Sequence, residues 1–204
     1  MGRPHLPDRL GPTLLPNHGT QASRSLSASG GDLEERLQWR ATDGTPQIEE
    51  DRAVTARLRA DGDGWELTWS STLTPASGPL VLASPSDQGR EDAHYGGLFW
   101  RLPGPDGVTV LTADGEGGAT AHGSASPWLA LVHPTAPWSV VLRATGPAVR
   151  WHVRCSNYLA VCPSLVWDAP VRLAPGDRLA FGLRATILDR AVDAAEAAAL
   201  GADA

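Results

Sequence analysis

From Trp65 to Thr74 the chain alternates residue by residue, with Trp65, Leu67, Trp69 and Leu73 on one side and Glu66, Thr68, Ser70 and Thr72 on the other. A period of two belongs to an extended strand, whose successive side chains point to opposite faces, so this run predicts a half-buried antiparallel strand. Just upstream, IEEDRAVTARLRA sets Val54, Ala56 and Leu58 against Thr55, Arg57 and Arg59, and Asp61 to Gly64 (DGDG) joins the two runs. Asp and Gly tolerate the positive φ of tight turns, so the pair predicts a β-hairpin. The rest of a twelve-residue calcium loop does not follow.

Further strands are predicted at LEERLQWRA, GPLVLAS, GGLFWRLP, VTVLTA, WLALVH, WSVVLRA, RWHVR, PSLVW and DRLAFGLRATIL, with the 22 glycines and 17 prolines mostly between them. Only the tail, AVDAAEAAALGADA, reads as helix, with Asp193 as N-cap and Gly201 as stop. Many short strands with no helix between them predict an all-β fold, a large antiparallel β-sandwich with a short C-terminal helix, and argue against βαβ units. Three segments follow: an irregular stretch over 1–31, carrying prolines at 4, 7, 12 and 16, one sandwich domain over 32–190, and a helical tail over 191–204.

At 204 residues and 42% hydrophobic content the chain can bury a substantial core. The net charge is −6, all 17 basic residues are arginine, and no basic run occurs, which argues against nucleic-acid binding. The N-terminus lacks the apolar centre of a signal peptide, and no segment approaches the roughly 20 apolar residues that span a bilayer, so a cytoplasmic protein without membrane contact is expected. Cys155 and Cys162 are expected to be thiols, and no zinc spacing is present. A nucleophile elbow, a phosphate loop and a dinucleotide motif are also missing, so neither a metal nor a cofactor is expected.

The stretch AHYGGLFWRLP, residues 93–103, places Gly96 and Gly97 between aromatics in a chain with two tyrosines and two phenylalanines. Paired glycines in a strand mark a bulge or a close approach of a ligand to the backbone. Tyr95 and Trp100, with Trp128 further along, would then offer ring contacts to a sugar, whose CH faces stack on aromatic rings. A core strand with a bulge accounts for the pattern equally well. His94, His122 in TAHGSASPW and His18 in PNHGT are turn-like positions that together could supply proton transfer. Arg101 or Arg90 could hold an anion, or Arg90 could simply pair with its acidic neighbours. Asp168, before Ala-Pro, reads as a base or a turn former.

SPSDQGREDAHYGGLFWRLP, HGSASPWLAL and CPSLVWDAPVRLAPGDRLAFGLRATILDR, in that order, resemble a bacterial family of uncharacterised proteins labelled methane oxygenase PmoA, and GPTLLPNHGT resembles that family's N-H-G-T element. The resemblance implies a soluble, galactose-mutarotase-like supersandwich of carbohydrate metabolism, acting on a sugar or oxidised sugar with His and carboxylate groups in an epimerase, lyase or hydrolase-like reaction. It also implies a sugar oxidoreductase as a functional partner. Relative to the family pattern the chain starts late, ahead of which an Asp-His-Pro-x-His-like element would stand. Two other readings stay open: a non-catalytic carbohydrate-binding or accessory module, and a metal-dependent oxygenase, which would need His18, His94 and His122 to converge with a carboxylate.

Overall fold

A computed structural model describes residues 18–102, 104 and 106–202. In chain order its elements are β1 (Thr20–Ser29), β2 (Asp32–Arg40), β3 (Pro46–Leu58), β4 (Trp65–Pro75), β5 (Leu80–Leu82), β6 (Trp100–Leu102), β7 (Thr109–Thr112), β8 (Gly115–Glu116) and the single turn α1 (Gly118–Ala121). There follow β9 (Leu129–His133), β10 (Trp138–Thr145), β11 (Arg150–Arg154), β12 (Leu159–Ser164), β13 (Val171–Leu173), β14 (Leu179–Leu188) and α2 (Ala194–Ala202). Nine strands form one antiparallel sheet in the order β1-β2-β3-β4-β14-β10-β9-β7-β8; β11-β12-β6 form a second sheet, and β13-β5 a short ribbon. The fold is therefore the expected all-β antiparallel sandwich with a short C-terminal helix.

The hairpin at 61–64 forms as predicted, pairing β3 with β4 from Leu58↔Trp65 onward. Gly64 turns there at φ 87°, and a Cβ would sit 2.0 Å from the Ile187 carbonyl oxygen, so no other residue fits. The predicted alternation of β14 holds too: Leu183 and Ala185 face the core with Leu129, Leu131, Val140 and Leu142 of the neighbouring strands. Against them pack Trp151, Val153, Leu159 and Val161 of the second sheet, which closes the sandwich. On the outer face of the large sheet a smaller cluster lies under α2, with Trp128, Ala130, Val141, Leu188 and Ala197.

Four expectations are corrected. Within the irregular stretch, Thr20–Ser29 is the edge strand β1; it is exposed on both faces, so no apolar alternation betrayed it, while residues 1–17, with His5, lie outside the described residues. The strand expected at PSLVW is displaced to Leu159–Ser164, where every residue is buried because both faces are covered, which erases a period of two. GGLFWRLP is strand only over Trp100–Leu102, and Gly96 and Gly97 belong to the preceding loop. Asp193 does cap α2, its carboxylate accepting the Glu196 N–H at 2.8 Å, but Gly201 lies inside the helix rather than ending it. A Cβ on Gly201 would come within 2.4 Å of the Trp128 Cβ, so glycine is there to let the helix lie on the indole.

Candidate functional site

Three histidines from distant segments meet on the outer face of the β11-β12-β6 sheet. Trp151 and Val153 of β11 point into the sandwich, so alternation turns His152 outward. The segment after α1 runs beside β11, with Gly123 N–H donating to the Trp151 carbonyl at 2.8 Å and Trp151 N–H to the Ser124 carbonyl at 2.9 Å. This sets the His122 ring 4.9 Å from that of His152. His94 arrives on the loop before β6, which is pinned to the end of β12 by the Ser164 hydroxyl on the His94 carbonyl and by Leu165 N–H on the Gly96 carbonyl at 2.9 Å.

Trp167 is the common surface. Its indole stacks on His94 with centroids 4.4 Å apart and meets His122 edge-on at 4.9 Å. Arg150 brackets it, donating to Asp168 at 3.0 Å and to the Gly123 carbonyl at 3.0 Å. On the other flank Tyr95 lies 5.3 Å from His152 and 5.3 Å from Phe99, and Arg90 donates to the Tyr95 hydroxyl at 3.1 Å.

The three imidazoles are not equivalent. His152 is 6% exposed and its Nδ1 has no hydrogen-bond partner. Burial, reinforced by the nearby His122, His94, Arg154 and Arg90, lowers its pKa to about 4, so it is neutral at physiological pH. His122 is half-buried and oriented by the backbone, its Nδ1 lying 3.0 Å from the Val153 carbonyl and 3.2 Å from the Val153 N–H. Either tautomer finds a partner there, leaving Nε2 free to give or take a proton. His94 is half-buried, one face covered by Trp167. The arrangement provides two oriented imidazoles, a third held neutral, and flat rings beside them.

Of the residues singled out in the sequence, His94, His122, Tyr95 and Arg90 are brought together. His18 lies two residues ahead of β1, the edge strand of the nine-stranded sheet, where its carbonyl accepts the Thr42 hydroxyl. The convergence of His18 with His94 and His122 is thus corrected, and among the described residues no group of three His, Cys, Asp or Glu could hold a metal ion. Arg101 lies on the outer face of β6 but stacks on Tyr158 instead of joining the imidazoles, its guanidinium carbon 4.2 Å from the ring centre. Trp128 is 6% exposed under α2 and offers no ring face, and Trp100 packs against the sandwich core. Asp168 is held by Arg150. His152 and Trp167 are the members of the cluster that the sequence did not select.

Gly96 and Gly97 border a different space. Between the inner face of the large sheet and the loop 96–100 lies a cavity of about 920 Å³, walled by Trp69, Phe181, Leu183, Phe99, Trp100 and Val166 among others. A Cβ on Gly96 would meet Val166 at 2.4 Å, so the glycine admits a neighbouring side chain rather than a bare backbone floor. At the cavity's polar end Glu50, 3% exposed, accepts from Trp39 Nε1 at 2.8 Å, Ser71 Oγ at 2.7 Å, and Arg52 Nε and Nη2 at 3.0 Å each. Phe99 belongs to both places, lining the cavity while its ring lies 6.3 Å from that of His152.

Both cysteines are free thiols, Cys155 exposed and Cys162 buried. No helix among the described residues is long and apolar enough to cross a membrane. A model of a family of unknown function, DUF6807, matches residues 5–202. No curated protein and no solved structure matches the chain.

Proposed function

The chain belongs to the DUF6807 family, a family of unknown function, and we propose that it acts on a sugar or an oxidised sugar derivative by proton transfer at the imidazole cluster. The observation that carries this reading is the meeting of His94 and His122 on the Trp167 indole, with His152 against His122. Tyr95 and Trp167 provide ring faces for the CH side of a pyranose. His122, fixed through Nδ1, takes a proton from the bound sugar through Nε2, and His94, stacked on the same indole, returns one. Arg90, exposed beside Tyr95, suits the carboxylate of an oxidised sugar. The sequence resemblance adds a galactose-mutarotase-like role, the PmoA label and a sugar oxidoreductase as partner to the same proposal.

A panel of aldoses, ketoses, aldonates and uronates, followed by ¹H NMR over hours, tests the reading. Conversion of at least one sugar, abolished by His122→Ala, is expected. Conversion that survives His122→Ala unchanged would refute the assignment. A second reading is favoured by Asp168, the acid at the edge of the cluster, being committed to Arg150. With that carboxylate occupied, the cluster would serve as a carbohydrate-binding platform, and the same experiment would show line broadening of a sugar without conversion.

A further inference from the structure

We propose that the cavity between the sheets is a second binding site, separate from the imidazole cluster, for an apolar ring compound bearing one uncharged hydrogen-bond acceptor. Its walls are contributed by both layers of the sandwich: Trp69, Phe181 and Leu183 from the large sheet, and Phe99, Trp100 and Val166 from the opposite side. A volume of about 920 Å³ falls within the range of small-molecule pockets. A sugar is a poor occupant, because a wall this apolar would leave most of its hydroxyls without partners, and an unpaired buried hydroxyl is costly.

The polar end selects the head group. Glu50 accepts four hydrogen bonds, one for each of its lone-pair positions, and has none left for a ligand. Arg52 has five N–H groups and uses three, two on Glu50 and one on Glu35 at 3.3 Å. Its guanidinium lies over Trp69 at 4.9 Å and lines the cavity, so its two remaining N–H groups, with the Gln21 amide on the same lining, are donors on offer. Around them stand two carboxylates, Glu35 and Glu50, against this one guanidinium. That balance disfavours an anionic head and favours a ketone, ether or amide oxygen. Val81 and Ala83 are exposed residues on the same cavity and mark its mouth.

Nile red, a neutral apolar fluorophore, is the probe for the full-length protein. Saturable one-to-one binding is expected, weakened at least about tenfold by Ala83→Trp, which fills the mouth from an exposed position and leaves the core alone. Far-UV circular dichroism checks that the variant is folded, and quenching of the tryptophan emission of the unmodified protein reads binding independently. In competition, 2-acetylnaphthalene should displace the probe about tenfold more effectively than 2-naphthoate or naphthalene, and glucose should not displace it. Absence of saturable binding, undiminished binding to folded Ala83→Trp, preference for 2-naphthoate or displacement by glucose would each overturn the proposal. His122→Ala should leave Nile red binding unchanged, which keeps this result independent of the sugar reading.

Discussion

His152 makes folding stability depend on pH in a calculable way. Its ring is buried with Nδ1 unpartnered, and its pKa falls from 6.5 to about 4, chiefly through burial and then through His122 and His94. The native state thus holds the neutral imidazole, while the unfolded chain takes up a proton near the ordinary value. Stability from this group is fully present above pH 6.5 and is lost as the pH falls from there towards 4. The whole gap corresponds to about 3 kcal/mol, of which about 2 kcal/mol is gone by about pH 5. Urea unfolding of the unmodified protein and of His152→Gln, at about pH 7.5 and about pH 5, isolates the contribution, because glutamine does not titrate and the other groups cancel. The stability difference between the two proteins should shift against the histidine by about 2 kcal/mol on acidification. A difference that stays constant, or an NMR titration of the His152 ring with its midpoint near 6.5, would refute the reasoning.

Three further outcomes are expected. Gly201→Ala should destabilise the protein: alanine would gain about 1 kcal/mol of helix propensity, but its Cβ would lie 2.4 Å from that of Trp128, and such overpacking costs about 1–3 kcal/mol, so the urea midpoint should fall. Glu50→Ala removes the acceptor of four donors and leaves the Arg52 charge half-buried beside Glu35 alone, so a loss of about 3–5 kcal/mol is expected in the same assay. Cys155 is exposed, whereas burial pushes the Cys162 thiol up to about 12. One thiol should therefore react with a disulfide reagent in the native protein and the second only on unfolding.

The strands that the sequence revealed are those with one wet and one dry face. β4 and β14 carry that alternation and fold where it placed them. β1 and β12 depart from it in opposite directions, one exposed on both faces and the other buried on both, and neither has a period to read. The candidate site was legible to the same degree. His94 and Tyr95 flank a glycine pair whose oddity was visible, and His122 was marked by the glycine after it. His152 sits in RWHVR, where Trp151 and Val153 take the inner face and alternation alone turns it outward beside Arg150 and Arg154. Its partner His122 lies across a gap of 30 residues that only the path of α1 alongside β11 closes. Glu50 and Arg52 carry no local sign of burial, since charged residues in a strand usually face solvent; pairing of Glu50 with Leu37 and of Arg52 with Glu35 puts them inside. His18, Arg101 and Trp128 were plausible by residue type, but their directions depend on sheet order and on where α2 lands, which are non-local.

In the proposed function the rings of His94, His122 and Trp167 form one ligand-facing surface. Recording ¹H–¹⁵N and aromatic ¹H–¹³C NMR spectra while adding each sugar of the panel tests it most directly. The His94 and His122 ring signals and the Trp167 indole should shift together with a single saturating curve, while the Trp128 indole under α2 stays still. Shifts that leave these three rings unmoved, or that follow separate curves for His94 and His122, would contradict it.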